Sequence, residues 1–177
     1  YMMQFLDGCI TYDLSTLATP LRPLECNLQR FLFPECKPYE LDHRGADRSF
    51  HKRLWNMGAA FGAEFPPAIY AILKENTDAG RGPDCEPLVP TLRQHVYANR
   101  FGSRAKTLWT LYNATGHAID EPALAVDLKP QEHLFDLLHS EPATVEPANG
   151  QTRVHVHLLR DRATCIARLP RLLAAAR

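Results

Sequence analysis

The sequence predicts an α+β chain in two parts, a helix-and-loop N-terminal half followed by an antiparallel β-sandwich. Up to about residue 92, apolar residues recur at helical spacing between breaks rich in Pro and Gly. From residue 93 onward, six short runs rich in β-branched and aromatic residues follow one another about 10 residues apart. Turn signals such as Asn149-Gly150 separate these runs, a pattern typical of a small sandwich or barrel.

The first part of the chain alternates short elements with breaks. Residues 1–13 predict a strand, a turn at Asp7-Gly8 and a second extended piece. A short amphipathic helix is expected over residues 24–33, where Pro34 ends it. The polar, Pro-bearing segment 34–48 is expected to be a surface loop, the kind of segment that often carries function.

Two longer helices are expected next. Ser49 is placed to cap the first, and Gly62 fits its C-terminal end. The apolar residues of this helix share one face: Phe50, Leu54, Met57 and Phe61. Pro66-Pro67 is well placed to start a second helix, which Gly80 and Gly82 stop.

The six runs of the second half predict β-strands. In the run over residues 152–160, alternation turns Val154, Val156 and Leu158 inward and the side chains between them outward. Asn149-Gly150 before it suits a type I′ hairpin turn. The runs cover residues 95–101, 106–113, 122–128, 132–138, 152–160 and 163–169.

The composition excludes several classes of partner. Twenty basic residues balance twenty acidic ones, so no net field would draw the chain to nucleic acid or to an anionic membrane. No apolar run approaches the roughly 18 residues of a membrane span. Five cysteines, an odd number without a CxxC pair, argue against a disulfide framework or a structural zinc site. Mostly buried thiols in a reducing compartment are expected, which favours the cytoplasm over secretion.

The apolar opening of the chain, Tyr1 to Leu6, reads as the middle of a buried strand. A free N-terminus there would expose hydrophobic surface without a neighbour. The expectation is that the chain begins inside a larger domain, whose remainder is its partner.

Three stretches together resemble the C-terminal part of large bacterial glycoside hydrolases, which carry a catalytic (β/α)-barrel followed by a β-sandwich. The stretches are RFLFPECKPYEL (30–41), PLVPTLRQHVYANRF (87–101) and KTLWTLYNATG (106–116). In such enzymes the closing domain commonly begins with a strand ending in Asn-Arg-Phe, and the next strand reads Trp-Thr-Leu-Tyr-Asn. Val96 to Arg100 and Leu108 to Gly116 match that order.

The resemblance implies that residues 1–92 are the last strands and helices of a barrel and that residues 93–177 are an accessory sandwich. A complete barrel needs about 200 residues or more. The family's acid and nucleophile are expected mainly on earlier strands, so no catalytic residue is carried over. The chain is therefore expected to be inactive alone.

Candidate site residues come from the residues themselves. Glycoside hydrolysis needs two carboxylates and no cofactor. Asp7 follows an apolar strand, where barrel enzymes place catalytic groups, and Glu35 begins a loop beside aromatic residues. The plainer alternatives are a turn residue for Asp7 and a solvated acid for Glu35. Tyr12 and Tyr39 are candidates for stacking on a sugar, whereas Trp55 and Trp109 fit core packing better.

No nucleotide-binding, metalloprotease or serine-hydrolase motif occurs, and no metal site is predicted. His155 and His157 point the same way from one strand and could share a metal ion. A third ligand would be needed, and none stands at a fixed spacing. A solvated strand face is the preferred interpretation of this pair.

Three functional hypotheses stay open. The first is an inactive fragment of a glycoside hydrolase. The second is a non-catalytic module that binds carbohydrate or protein and needs an exposed aromatic platform. Its aromatic residues would come from Tyr97, Trp109, Tyr112 and Phe135. The third is a structural sandwich that covers the barrel's flank, which predicts a wide hydrophobic interface between residues 50–75 and the sheet.

Overall fold

The computed structural model describes residues 8–12, 31–32, 37–41, 47–58 and 66–170. These residues form mostly antiparallel β-structure with few helices, built around a two-sheet sandwich. The predicted sandwich class is therefore confirmed, whereas the barrel assignment of residues 1–92 stays a prediction. Within the described ranges, no helix is both long enough and apolar enough to cross a bilayer.

The N-terminal part contains a parallel strand pair. Strand β1 (Gly8–Tyr12) pairs with β2 (Lys37–Leu41) in a register that sets Gly8 opposite Lys37. Parallel strands need a crossover of about a dozen residues or more, and residues 13–36 connect the two. The second extended piece predicted within residues 1–13 is confirmed as β1, whereas the turn predicted at Asp7-Gly8 involves residues outside the described ones. The prediction of a surface loop over residues 34–48 is wrong, because that segment contains β2. Pairing with a distant strand overrides local composition.

Three helices follow: α1 (Asp47–Asn56), α2 (Pro67–Glu75) and the single turn α3 (Thr77–Gly80). Helix α2 begins at the predicted proline, and α3 ends at the predicted glycine. The single helix expected between them is interrupted at Asn76, whose φ of −111° and ψ of 25° are not helical and whose side-chain Nδ2 donates a hydrogen bond of 2.8 Å to the carbonyl of Ile72. Such local side-chain bonds compete with helix continuation.

Helix α1 begins before Ser49 and ends well before Gly62, so the predicted boundaries are wrong. Met57 takes the left-handed conformation, with φ of 49°. The N–H of Gly58 then donates to Arg53 O at 2.9 Å, and that of Met57 donates to Leu54 O at 3.1 Å. This is a Schellman motif, which usually places Gly where Met57 stands. Met57 is 4% exposed, so its side chain packs in the core while its backbone ends the helix.

The sandwich has a six-stranded sheet in the order β3-β4-β5-β11-β7-β8 and a three-stranded sheet in the order β6-β10-β9, both antiparallel. Its strands are β3 (Cys85–Val89), β4 (Val96–Gly102), β5 (Thr107–Asn113), β6 (Ile119–Val126), β7 (Glu132–Asp136), β8 (Glu141–Pro142), β9 (Val145–Ala148), β10 (Gln151–Leu158) and β11 (Ala163–Pro170).

All six predicted strands are present, as β4, β5, β6, β7, β10 and β11. The sequence missed β3, β8 and β9, each of which contains a proline and lies at a sheet edge. Proline cannot donate to a strand ladder and is confined to such edges. The predicted hairpin turn is confirmed, because Asn149 and Gly150 have φ of 51° and 80°.

The six-stranded sheet is covered on both faces. One face packs on the three-stranded sheet, where the predicted inward residues Val154, Val156 and Leu158 are 0%, 2% and 2% exposed. The other face packs on α1 and α2, which confirms the predicted interface with residues 50–75. Strand β5 is consequently buried at every residue instead of alternating.

Candidate functional site

The sequence-predicted site residues fall in or beside the N-terminal strand pair. Asp7 and Glu35 lie outside the described residues, as do the side chains of Tyr12 and Tyr39. Tyr12 is the last residue of β1, and Tyr39 lies within β2 and not in a loop. In sequence, Asp7 comes before β1, whereas barrel enzymes place catalytic groups after their strands. The catalytic and binding roles of these four residues stay predictions.

A buried contact joins α1 to the sheet, and we call it the helix–sheet seam. It consists of residues 50–57 against the outer face of β4, β5 and β11. Leu54 and Trp55 are fully buried there, and the Trp55 ring lies 5.8 Å from the Tyr112 ring. Even Lys52 and Arg53 are only 9% and 4% exposed. The predicted one-sided amphipathic helix is thus buried on its polar side too.

Polar side chains of the sheet bind the C-terminal end of α1. The carbonyl of Trp55 accepts a hydrogen bond of 2.6 Å from Thr110 Oγ1 and one of 3.0 Å from Asn99 Nδ2. Thr110 and Asn99 are both fully buried. The last carbonyls of a helix have no partner within the helix, so the sheet supplies one. Asn99 Oδ1 also accepts from the N–H of Leu88, at 3.0 Å.

Two ion pairs connect the α3 region to the sheet: Arg100 lies 2.6 Å from Asp84, and Lys106 lies 2.9 Å from Asp78. Arg100 also lies 3.4 Å from Glu86 on the neighbouring strand β3. The hydrogen bond from the Arg100 guanidinium holds the pKa of Asp84 below its usual value. These pairs are at the surface, so their contribution to stability is modest.

A cavity of about 510 Å³ opens beside Trp109, and we call it the Trp109 groove. Its apolar walls include Leu124 and Val126, and its polar rim includes Arg100, Asp127, Gln151 and Arg168. Trp109 and Arg100 are opposite one another across β5 and β4. The groove is therefore assembled from residues distant in sequence.

The His155–His157 pair gains a neighbour from the adjacent strand. Asp120 on β6 is the register partner of His157, and its Oδ1 lies 3.5 Å and 3.8 Å from the Nδ1 atoms of His155 and His157. His157 is 61% exposed and Asp120 69%. Across residues 8–12, 31–32, 37–41, 47–58 and 66–170, no three His, Cys, Asp or Glu side chains form a group that could hold a metal ion. The solvated strand face stays the preferred interpretation.

Solved structures similar to this chain are glycoside hydrolases. An α-amylase from Anoxybacillus matches at 15% identity with a TM-score of 0.40, over 59% of this chain and 22% of the enzyme. A GH27 β-L-arabinopyranosidase from Geobacillus stearothermophilus matches at 10% identity and 0.44, over 84% and 42%. A GH30 endoxylanase from Clostridium papyrosolvens C71 matches at 12% identity and 0.41, over 80% and 35%.

At TM-scores below 0.5, these similarities do not establish a shared fold. This chain also spans less than half the length of each of the three enzymes. No protein-family model and no curated protein sequence matches the chain.

Proposed function

We propose that this chain is the C-terminal part of a glycoside hydrolase-like protein. In this proposal, residues 1–92 complete a (β/α)-barrel, and the sandwich supports that barrel without taking part in the reaction. The substrate is a carbohydrate, and an Asp/Glu pair supplied largely by the rest of the protein performs the hydrolysis without a cofactor.

The helix–sheet seam is the observation that carries the proposal. Lys52 and Arg53 in α1 are 9% and 4% exposed, so the polar side of this helix is covered as well as its apolar side. A helix buried on its polar side as well as on its apolar side lies between two layers. In this proposal the sheet is one layer and the barrel is the other.

The order of the elements also supports the proposal. The parallel pair of β1 and β2, joined across residues 13–36, is the arrangement that successive barrel strands have. Helices α1 and α2 follow, and then the antiparallel sandwich. The motif resemblance implies this same succession.

The described strands give little support to an aromatic platform for glycan binding. Tyr112 is fully buried and Trp109 is 7% exposed, while Tyr97 and Phe135 are half-buried. A binding module would still be favoured if a glycan-binding signal of this chain disappeared on Tyr97→Ala.

Two experiments test the proposal. The chain should not turn over aryl glycosides, and hydrolysis that Asp7→Asn abolishes but Asp120→Asn spares would overturn it. Residues 93–177 expressed alone should be poorly soluble, because removal of α1 uncovers Phe101, Leu108 and Tyr112. A monomer of that segment with cooperative unfolding would count against the supporting role.

A further inference from the structure

The Trp109 groove has the size and wall chemistry of a small-molecule site. Its volume of about 510 Å³ lies within the range of roughly 300–1,000 Å³ that ligand pockets occupy. Leu124, Val126 and Trp109 lie almost wholly buried beneath the groove, and the apolar side chains that it exposes are those of Pro90 and Leu92. Pockets of this kind combine an apolar floor with a few polar groups that orient the ligand.

One of those polar groups is held in place by the fold. The Arg168 guanidinium lies 5.6 Å from the centre of the Trp109 ring. Its Nη2 donates to Thr107 Oγ1 at 2.9 Å, and its Nη1 donates to the backbone carbonyl of Asp127 at 3.3 Å. A guanidinium fixed by two hydrogen bonds and a ring loses little freedom when a ligand binds.

The charges around the groove balance. Arg100 and Arg168 are the cations of its lining, and Glu86 and Asp127 are the acids. Arg100 is already paired with Asp84 and Glu86. A charged ligand would lie beside groups of its own charge as well as groups of the opposite charge. A neutral ligand rich in hydroxyls can instead donate to the carboxylates and accept from the guanidinium and amide groups.

The rim next to β3 has an unusual backbone conformation. Leu88 has φ of 52° at an irregularity in the pairing of β3 with β4, between Glu86 and Val89. Its N–H is held by Asn99 Oδ1. Bulges and left-handed non-glycine residues concentrate at functional sites, where the surrounding structure maintains them. This feature is independent of the groove's volume and lies at its edge.

We propose that the Trp109 groove binds a short neutral saccharide, such as one to three sugar units. Pro90 and Leu92 contact the C–H faces of the sugar, and the planar groups of Gln151, Asp127 and Arg168 bond its hydroxyls. The choice of a saccharide rests on the proposed function, whereas the groove itself does not. Such a site would hold a carbohydrate chain beside the sandwich.

Calorimetric titration of the full chain with neutral trisaccharides of glucose, xylose and galactose tests this proposal. We expect at least one to bind with a dissociation constant of about 1 mM. Asp127→Ala and Gln151→Ala should each weaken binding about tenfold, because each removes hydrogen bonds to hydroxyls. Both side chains are exposed, so the fold should survive the substitutions. The backbone carbonyl of Asp127 that holds Arg168 remains in the variant.

Gln131→Ala and Asp120→Ala are matched controls, since both residues are exposed and lie outside the groove. They should bind like the wild type. Absence of binding by all three trisaccharides, equal weakening by the controls, or stronger binding of a trigalacturonate would each overturn the proposal. None of these results bears on the helix–sheet seam, so failure here is distinguishable from failure of the proposed supporting role.

Discussion

Two side chains of the sheet bind α1 at a single atom, the backbone carbonyl oxygen of Trp55. It accepts hydrogen bonds from Thr110 and Asn99, which are 55 and 44 residues away in sequence. Thr110 stands in a strand whose every residue is buried. Losing a hydrogen bond of this kind inside a protein is costly, because no water can replace the partner.

Replacing Thr110 by Val keeps the shape of the side chain and removes its hydroxyl. We expect Thr110→Val to lower the free energy of unfolding by about 1 kcal/mol, with Asn99 still bonded to the carbonyl. Urea denaturation measures this change. Thr144→Val, at an exposed position, is the control and should stay within about 0.5 kcal/mol of the wild type. Equal effects of the two substitutions would contradict the role given to Thr110.

The Asp84–Arg100 pair predicts a pH dependence. Its hydrogen bond lowers the folded pKa of Asp84, so the pair stabilises the protein above the unfolded pKa of about 3.9. That contribution is lost as the pH falls through the lowered folded pKa. Because Asp84 is 57% exposed, Asp84→Asn should cost only about 0.5 kcal/mol at pH 7.

Urea denaturation of wild type and Asp84→Asn from pH 7 down to strongly acidic pH measures this difference. The gap should shrink below about pH 4 as the wild-type carboxylate becomes protonated. A gap that stays constant into strong acid would show that the ion pair is not its source.

Among the elements, strands with local signals were predictable and those that depend on distant partners were not. The Asn149-Gly150 turn and the alternation of Val154, Val156 and Leu158 are encoded within ten residues. Strand β2 was predicted as a loop because its ladder partner β1 lies beyond residues 13–36. The end of α1 at Met57 was missed because tertiary burial, and not a glycine, maintains its left-handed backbone.

Dependence on partners distant in sequence also explains which parts of the candidate sites could not be predicted. Asp120 approaches His155 and His157 only through strand pairing. The Trp109 groove combines Arg100, Trp109 and Arg168 from three strands. No local spacing could have indicated either arrangement.

The β9–β10 hairpin allows a test at the scale of one element. Gly150 has φ of 80°, and a Cβ there would meet nothing within 4 Å. Gly150→Ala should therefore destabilise the protein by about 1 kcal/mol through backbone strain alone. Thermal or urea unfolding gives the value. Gly58→Ala is the control, since its Cβ would make only ordinary contacts at 3.8 Å; a cost as large as that of Gly150→Ala would rule out strain as the cause.

At the scale of the molecule, the six-stranded sheet is the middle of three layers. Two separate apolar clusters hold it, one against α1 and α2 and one against the three-stranded sheet. Each cluster takes alternate residues of the same strands, such as Leu108 and Trp109. Because both clusters share this sheet, the helices and the sandwich should unfold as one cooperative unit.

Hydrogen exchange on the intact chain tests most directly whether the sandwich and α1 form one structural unit. The backbone amides of Leu54, Trp55 and Asn56 should open with the same free energy, within about 1 kcal/mol, as the central amides of β5 and β11. Thr110→Val should lower the opening free energies of both sets of amides together. Rapid exchange throughout α1 while β5 and β11 stay fully protected would contradict the account. The sheet would then be stable while the helix packed on it is open.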